Sequence, residues 1–392
     1  MRRQVRSVNT DSPPSPTAAA ARAWTALIVL VTLVLLATSC TSQEPQSTTS
    51  SPAFGIAYGN RLVGMSDEDL AAALDDAVAV GARWVRADLA WADIQPDGPD
   101  RHRWYVFDRV VRAASERSLS VLPVLAYTPR WARPAGCAGD NCAPADPEAF
   151  AAFAAKAATR YAPEGIHTWE IWNEPNIQNF WRPAPDATAY TTLLRTTSRA
   201  LRQVDPSAYV ILGGLAVANT RNGDISPADF LAAVAARGGN RLVDAVGYHP
   251  YTYPQLASAP SASATAWQGI DGSQDSLRGI LSAHGTPDLP VWITEFGAPT
   301  NGPGRASDGR AGATGATTTH VTEKQQAAIA ADAVPMAART PRVRALIWYT
   351  DRDQGTDTSS RENFFGLRRA DGSAKPAFDA LRGAIAAHGD RP

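Results

Sequence analysis

The sequence predicts an α/β protein built as a (β/α)8 TIM barrel. From residue 53 onward, short apolar runs alternate with segments whose apolar residues recur at the helical period. This alternation favours a parallel sheet with helices outside it. Eight such pairs can be counted, which is the number that closes a barrel. The chain of 392 residues, 44% of them hydrophobic, is long enough for one such domain and an extra N-terminal segment.

The apolar runs define the predicted strands, which lie at residues 54–58, 84–88, 119–127, 167–172, 209–213, 244–248, 290–294 and 343–349. Helical patterns between and after them include residues 107–118, 187–204, 273–283 and 376–387. Other helices begin at residues typical of an N-cap. These candidate caps are Ser66, Asp146 before Pro147, Ser226 before Pro227, and Thr322, which forms a capping box with Gln325.

Loops lengthen selectively after the apolar runs. The long loops lie at residues 90–103, 128–145, 174–186, 250–273 and 298–321. In a barrel these positions are the C-terminal ends of the strands, where active sites form. We therefore expect the functional residues in and beside these five loops.

Composition narrows the class of ligand. The chain has 37 basic and 38 acidic residues, and this balance argues against nucleic acid or an anionic membrane surface as the main partner. It also has 11 Trp and 10 Tyr, whose flat, partly polar rings suit the C–H faces of sugars. The expected ligand is neutral or nearly so, and the composition permits a carbohydrate site, although many of these rings must fill the core.

The N-terminus is predicted to be a processing segment. Arginines precede an apolar run at residues 24–37 that is short for a membrane span. The run ends in Leu-Ala-Thr-Ser-Cys at residues 36–40, which resembles a bacterial lipoprotein signal in which Cys40 is lipidated. Because Ala37 departs from the usual Leu or Val, ordinary secretion or an uncleaved anchor stays an alternative.

These features divide the chain into three parts. Residues 1–39 are the predicted signal peptide, residues 40–52 a flexible tether rich in Ser, Thr, Gln and Pro, and residues 53–392 the barrel domain. We expect an exported protein, either lipid-anchored on the outer face of the cell membrane or secreted. The anchor is its only expected contact with a membrane, and we expect a monomer.

Cys137 and Cys142 are separated by four residues in a loop rich in Gly, Pro, Ala and Asp. In an exported protein this spacing favours a small disulfide-closed loop. The alternative is half of a metal site, but the chain has no second cysteine pair and only six scattered histidines. No Gly-rich phosphate loop, dinucleotide motif or Ser-His-Asp arrangement stands out either. We expect neither a metal nor an organic cofactor.

Two acidic residues lie where apolar runs end. Glu174 belongs to Trp-Glu-Ile-Trp-Asn-Glu-Pro-Asn at residues 169–176, and Glu295 to Val-Trp-Ile-Thr-Glu-Phe-Gly at residues 291–297. On the fourth and seventh strands of a barrel they would face each other across the bore. A pair of carboxyl groups held this way is the minimum requirement for hydrolysing a glycosidic bond. Their separation, which decides between retention and inversion, cannot be read from the sequence.

These two segments, together with Trp348 on the eighth strand, resemble clan A glycoside hydrolases, which are retaining (β/α)8 enzymes. The resemblance covers residues 53–388 and is strongest to glycoside hydrolase family 39 and its bacterial endoglycosidase relatives. Runs at residues 83–91, 127–131, 249–251 and 375–377 add to it. Such a series in order is more specific than any single motif.

The resemblance implies roles for the matching residues. Glu174 matches the acid/base and Glu295 the nucleophile, and Asn173 matches a residue that hydrogen-bonds the sugar 2-hydroxyl. Arg86 matches an arginine that contacts the nucleophile and would keep it ionised. Trp348 matches the aromatic floor of the subsite that holds the cleaved sugar.

Three further matches concern the substrate contacts. His249 and Tyr251 match residues of the sixth strand, and Tyr251 is the expected hydrogen-bond donor to Glu295. We expect His249 to support the site rather than to carry a proton. Many clan members have a histidine at the end of the third strand, where this chain has Tyr127.

Other residues have structural alternatives. Glu164 and Glu170 are interpreted as surface groups or helix caps, and Arg86 has an alternative pairing with Asp88 or Asp93. The loop tryptophans are interpreted either as sugar platforms or as loop packing; they are Trp91, Trp131 and Trp181. Those that alternate along strands are interpreted as core; they are Trp169, Trp172 and Trp292.

The sequence therefore favours a retaining O-glycosidase that acts on a β-linked poly- or oligosaccharide of the cell envelope or the environment. The nearest relatives by motif cleave within surface polysaccharide, so endo attack is the expected mode. A transglycosylase with the same residues and a non-catalytic carbohydrate-binding barrel are the two alternatives.

Overall fold

The computed structural model describes residues 51–260, 265–310 and 318–388. The predicted signal peptide, the lipidation site Cys40 and nearly all of the tether lie outside the described residues. Within the described ranges no helix combines the length and the apolar composition that a membrane span requires.

Eight parallel strands form a closed barrel, as predicted. The strands are β1 (Ala53–Gly59), β2 (Trp84–Ala90), β3 (Ser120–Ala126), β4 (Thr168–Ile171), β5 (Tyr209–Ala216), β6 (Ala245–His249), β7 (Val291–Phe296) and β8 (Val343–Tyr349). Each strand pairs with its sequence neighbours, and β1 pairs with β8 to close the ring. All eight predicted strands are confirmed, with ends that differ by at most three residues.

Two four-residue helices, Arg61–Gly64 and Trp91–Ile94, lie in the loops after β1 and β2, and among the described residues eight longer helices follow the strands. They are α1 (Asp67–Val80), α2 (Tyr105–Ser115), α3 (Pro147–Tyr161), α4 (Ala187–Val204), α5 (Pro227–Ala235), α6 (Leu277–Ala283), α7 (Glu323–Arg339) and α8 (Pro376–His388). The four predicted caps all accept a hydrogen bond from a backbone N–H group of the first helical turn. The bounds of α4 are those that the sequence predicted.

Three helices differ from the prediction in detail, and the first of them, α2, spans Tyr105–Ser115 rather than residues 107–118. Helix α6 begins at Leu277 rather than at residue 273, because Ser276 caps it and residues 273–276 form a turn. The capping box at Thr322 is only half formed. Thr322 accepts from the Gln325 backbone N–H, but the Gln325 side chain donates to the carbonyl oxygen of Pro254 instead. That bond connects α7 to the loop after β6.

The core has two layers, which follow from the alternation of side chains along a strand. An outer layer lies between the strands and the helices. A smaller cluster fills the bore and consists of Ala57, Leu122, Ile211, Ala245, Trp292, Ala345 and Ile347. At the C-terminal end of the bore polar residues replace the apolar ones, and the site forms there.

Two barrel strands carry irregularities that matter for the site. The register of β5 against β6 shifts between Leu212 and Leu215, at Gly213 and Gly214. The register of β7 against β8 shifts between Ile293 and Phe296. A bulge re-aims the side chains that follow it. Thr294 and Glu295, although adjacent in sequence, consequently both hydrogen-bond to groups of the polar cluster in the bore.

The loops after β3 and β4 are joined to each other. The structure contains the Cys137–Cys142 disulfide. Next to it, the Thr128 backbone N–H donates to the carbonyl oxygen of Asp140, and Ala143 N–H donates to that of Arg182. The disulfide loop thus forms part of the rim of the barrel on this side.

Strands β5 and β6 lie close together at Gly247, so we expect a side chain at this position to destabilise the fold. A Cβ atom on Gly247 would lie 2.7 Å from the Leu212 carbonyl oxygen and 2.8 Å from the Gly214 nitrogen, and backbone cannot move aside cheaply. We expect Gly247→Ala to lower the free energy of unfolding by about 1 to 3 kcal/mol, measured by urea denaturation.

Gly383→Ala is the matched control. Gly383 lies on the exposed face of α8 with nothing within 4 Å of an added Cβ. Replacing a mid-helix glycine there should raise stability by about 0.5 to 1 kcal/mol. Equal effects of the two substitutions would contradict the close packing of β5 against β6.

Candidate active site

A fully buried ion pair forms the base of the site. Arg86, on β2, donates from Nε to Oε2 of Glu170 at 2.6 Å and from Nη2 to Oε1 at 3.2 Å. Both side chains have no solvent exposure. Glu170 lies on β4 on the bore side, since its neighbours Trp169 and Ile171 belong to the outer layer. This pairing fixes the guanidinium plane and leaves its remaining N–H groups pointing toward the cleft.

The prediction that Glu170 is a surface group or cap is wrong. Its carboxylate is buried and accepts hydrogen bonds from Arg86, Thr294 and the backbone N–H of Gly214. The period-two alternation along β4 could have indicated this, because Glu170 faces the same side of the strand as Thr168, opposite the apolar Trp169 and Ile171. Glu164, by contrast, is exposed as predicted.

Arg86 also holds two residues of the predicted site. Its Nη1 donates to Oε1 of Glu295 at 2.6 Å, and its Nη2 donates to Oδ1 of Asn173 at 2.7 Å. The alternative pairing of Arg86 with Asp88 or Asp93 is not the one that forms. Because Oδ1 of Asn173 faces Arg86, the amide donor Nδ2 lies on the other side of the side chain.

Glu295, on β7, is held between donors at both carboxylate oxygens. Arg86 occupies Oε1, and the Tyr251 hydroxyl donates to Oε2 at 2.7 Å. Burial raises the pKa of Glu295, but the charges of His249 and Arg86 and the two hydrogen bonds outweigh it. The net pKa lies below the ordinary glutamate value, so Glu295 is poised as an anion.

Glu174 follows β4 in a left-handed backbone conformation, with φ of 46°, which is uncommon for a residue other than glycine. Its backbone N–H donates to the carbonyl oxygen of Gly214 at 3.0 Å, so the bulge in β5 helps to hold it. Burial raises the pKa of Glu174, and hydrogen bonding to His249 lowers it by less. The net pKa lies above the ordinary value, so Glu174 is poised to hold a proton.

The two glutamates share one cleft. Their side chains are 12% and 13% exposed. A carboxylate oxygen of Glu174, a carboxylate oxygen of Glu295 and a ring nitrogen of His249 all lie within 4.8 Å of one another. The two carboxyl groups therefore have neighbouring positions and opposite pKa shifts.

His249 lies between the glutamates and is fully buried. Its Nδ1 is 2.8 Å from Oε1 of Glu174 and 3.7 Å from Oε2 of Glu295, and its Nε2 is 3.1 Å from the Thr294 hydroxyl. A Cβ atom on Gly214 would lie 2.0 Å from Nε2. Only a glycine at this point of β5 leaves room for the ring.

A third acidic group, besides Glu170 and Glu295, lies near Arg86. Asp88 is buried on β2, and burial raises its pKa to about 7 although the charge of Arg86 lowers it. Tyr127, at the end of β3, interacts electrostatically with Asp88, and burial followed by that charge raises the pKa of the Tyr127 hydroxyl. Tyr127 therefore does lie beside the cluster, at the edge where β2 and β3 end.

Two of the predicted aromatic contacts are buried. Trp181 and Trp348 are buried, at 2% and 1% exposure, so the prediction that they bind substrate is wrong. Trp181 packs edge-on against Trp172 and Tyr190 in the loop after β4. Trp348 packs in the outer layer. Sequence matching placed Trp348 at the cleft, but the alternation along β8 turns it away from the bore.

Tyr349 is the aromatic residue of β8 that faces the bore. Burial and then the negative charge of Glu295 raise the pKa of its hydroxyl. Trp131 is 37% exposed on the rim, where its Nε1 donates to the Gln95 carbonyl oxygen. Trp131 and Tyr349 are two of the aromatic rings that a ligand could contact, whereas Trp91 is buried.

Within the described residues one group of side chains could approach a cation, namely Glu174, His249 and Glu295. Both oxygens of Glu295 already accept hydrogen bonds, one of them from a guanidinium group. A second cation next to Arg86 would be repelled at this distance. We therefore do not assign these residues as metal ligands.

Comparison with known proteins identifies the family. The sequence model of the cellulase family (glycosyl hydrolase family 5) matches residues 43–330. The chain belongs to this glycosyl hydrolase family. The membership of clan A that the motifs predicted is thereby confirmed.

Relatives with solved structures share the barrel. A family 39 glycoside hydrolase from Bacteroides cellulosilyticus WH2 superposes with a TM-score of 0.65 at 22% identity, over 86% of this chain and 64% of that one. The family 39 enzyme from Xanthomonas axonopodis pv. citri gives 0.63 at 18% identity, over 87% and 68%. At these identities the likeness concerns the fold.

One curated relative is similar in sequence. A β-xylosidase from Geobacillus stearothermophilus is 34% identical over 149 residues, which is 35% of this chain and 27% of the xylosidase. The chain thus matches little more than a quarter of that enzyme's length.

The buried ion pair leads to a prediction that needs no substrate. Glu170→Gln keeps the shape but removes the fully buried charge that balances Arg86 and leaves only the partly exposed Glu295, so we expect the free energy of unfolding to fall by about 3 kcal/mol. Asp75→Asn is the control, since Asp75 pairs with Arg117 at the surface with 66% exposure. Loss of this surface ion pair should lower the free energy of unfolding by less than about 1 kcal/mol. Urea denaturation of both variants decides, and equal losses would contradict the assigned role of Glu170.

Proposed function

We propose that the protein is a retaining O-glycoside hydrolase with Glu295 as nucleophile and Glu174 as acid/base. The observation that carries the proposal is the pair of carboxyl groups with oxygens within 4.8 Å of each other. Retaining enzymes separate the two groups by about 5 to 5.5 Å, whereas inverting enzymes need about 6.5 to 9.5 Å to admit a water. The closer spacing suits direct attack by one carboxylate on the anomeric carbon.

In the first step Glu295 attacks the anomeric carbon while Glu174 gives its proton to the leaving oxygen. The glycosidic C–O bond breaks, and an ester forms between Glu295 and the sugar. The low pKa of Glu295 and the high pKa of Glu174 supply the required charge states. In the second step Glu174, now ionised, takes a proton from water, and that water displaces Glu295 with overall retention.

Four residues would orient the sugar. The Nδ2 group of Asn173 is available for the 2-hydroxyl, because Arg86 holds Oδ1, and such a contact strengthens in the transition state. Tyr349 and Trp131 offer ring faces for the subsites on either side of the cleaved bond. Tyr127 takes the place of a histidine common in the clan and would contact the same sugar.

For the substrate we propose a β-linked, neutral poly- or oligosaccharide of the cell envelope or the environment, cleaved internally. The β linkage is supported by the likeness to a β-xylosidase, and neutrality by the balanced charge of the chain. The long loops around the cleft are compatible with an extended ligand. Location outside the cell, through lipidation of Cys40 or secretion, and a monomeric state remain part of this proposal.

The mechanism predicts the outcome of two substitutions. A screen of aryl β-glycosides, beginning with the xyloside, and of purified envelope polysaccharides first identifies a substrate. Glu295→Gln should then reduce kcat by at least about 1,000-fold with binding retained, because no covalent intermediate can form. Glu174→Ala should be rescued by azide on an aryl glycoside, giving a glycosyl azide of retained configuration by proton NMR.

Glu164→Gln is the matched control, an exposed glutamate away from the cleft, and should behave like the wild type. A product of inverted configuration, or full turnover by Glu295→Gln, would refute the role assignment. Binding without turnover in the wild type would favour the carbohydrate-binding alternative, and transfer to an added sugar acceptor in preference to water would favour the transglycosylase.

The pKa directions predict a bell-shaped dependence of kcat/KM on pH. Activity should be lost as pH falls through the lowered pKa of Glu295, which must be ionised, and as pH rises through the raised pKa of Glu174, which must be protonated. In Glu174→Ala, assayed on a substrate with a dinitrophenyl leaving group, the basic limb should disappear. Persistence of that limb would assign it to another group.

A further inference from the structure

Glu170 is connected to both candidate catalytic glutamates, although it touches neither. Through Arg86 it reaches Glu295. Through Thr294 and His249 it reaches Glu174, by a chain of three contacts of 3.1, 3.1 and 2.8 Å. All members of the second chain except Glu174 are fully buried. Water therefore does not compete for these hydrogen bonds.

The number of hydrogens on each side chain determines which group donates in each hydrogen bond from Glu170 through Thr294 and His249 to Glu174. Glu170 is surrounded by donors, namely the Arg86 guanidinium, the Gly214 backbone N–H and the Thr294 hydroxyl. Thr294 has one hydrogen, and Glu170 receives it. The Thr294 oxygen can therefore only accept from His249, which requires a proton on Nε2.

We propose that Thr294 and Glu170 are positioning residues that hold His249 in the Nε2–H form, so that its Nδ1 shares a single proton with Glu174. The proposal rests on the proposed function in that it treats Glu174 as the acid. The histidine and the glutamate then act as one unit with one proton to give to the leaving group. Neither Thr294 nor Glu170 touches the substrate in this arrangement.

The charged groups around His249 favour retention of the proton that it shares with Glu174. Glu174 and Glu295 face the ring from the β4 loop and from β7, Arg86 adds a positive charge from β2, and β5 offers only the backbone of Gly214. Burial lowers the pKa of His249, but the two carboxylates outweigh it and the net pKa is raised.

Loss of the shared proton would break the hydrogen bond between His249 and Glu174. It would leave the Nδ1 lone pair facing the Glu174 carboxylate at 2.8 Å. This repulsion between the lone pair and the carboxylate ends only if the proton of Nε2 moves to Nδ1 and the Thr294 hydroxyl turns away from Glu170. The cost of that rearrangement opposes deprotonation, and it disappears when the Thr294 hydroxyl is removed.

Nitrogen-15 NMR of the histidine rings tests this without any substrate. His249→Asn identifies the His249 signals among the six histidines. Below the midpoint at which the unit deprotonates, wild-type Nε2 should show the shift of a protonated nitrogen. In Thr294→Val, which keeps the β-branched shape, the midpoint should fall by about one pH unit. In Thr294→Ser, which keeps the hydroxyl, it should stay at the wild-type value.

An unprotonated Nε2 in the wild type below that midpoint would overturn the proposal, and so would an unchanged midpoint in Thr294→Val. A kinetic measurement separates positioning from general damage to the site. Above the wild-type optimum, Thr294→Val should lose about tenfold in kcat/KM on a methyl glycoside, which needs the acid, and little on a dinitrophenyl glycoside, which does not. Equal losses on both would indicate a structural role and contradict the proposal.

Failure of the proposed function would be recognised separately. A protein without glycosidase activity that still shows the NMR behaviour would refute the enzyme assignment and leave the hydrogen-bonded chain intact. An active enzyme without that behaviour would refute the chain alone.

Discussion

The ion pair of Arg86 and Glu170 is the interaction on which the site depends. A guanidinium group buried in the bore of a barrel is tolerated only if its donors find acceptors, because an unpaired buried charge is very costly. The Glu170 carboxylate balances the positive charge of Arg86 and accepts two of its hydrogen bonds. Arg86 also donates to Glu295 and to Asn173. The need to satisfy one buried cation thus brings together residues of β2, β4 and β7.

The bulges in β5 and β7 position the residues of the site that the ion pair does not hold. At the bulge in β5, Gly214 donates its N–H to Glu170, accepts the N–H of Glu174 and leaves space for the His249 ring. At the bulge in β7, consecutive residues hydrogen-bond to different members of the cluster. A regular strand would send Thr294 and Glu295 to opposite faces. Bulges next to active sites commonly re-aim side chains in this way.

Environment separates the two glutamates chemically. Both are largely buried, and burial alone would raise the pKa of each. Glu295 accepts hydrogen bonds from Arg86 and Tyr251, so its anion is stabilised, whereas Glu174 hydrogen-bonds to His249, which itself competes for the proton. One residue type thereby takes two opposite protonation states within a single cleft, which is what acid–nucleophile chemistry at one pH requires.

The sequence by itself determined the barrel, the helix caps and the two glutamates, because these depend on local periodicity, on capping chemistry and on short motifs at strand ends. Helix α4 and the runs around Glu174 and Glu295 are examples. Only the tertiary structure decided which side of each strand meets the bore. On β8 it is Tyr349 and not Trp348 that faces the bore. For Glu170 the alternation along β4 could indicate the side of the strand, but only the folded structure gave it Arg86 as its partner. The physical reason is that side-chain direction depends on the pleat and on bulges, and a bulge is defined by pairing with a neighbouring strand that lies far away in the sequence.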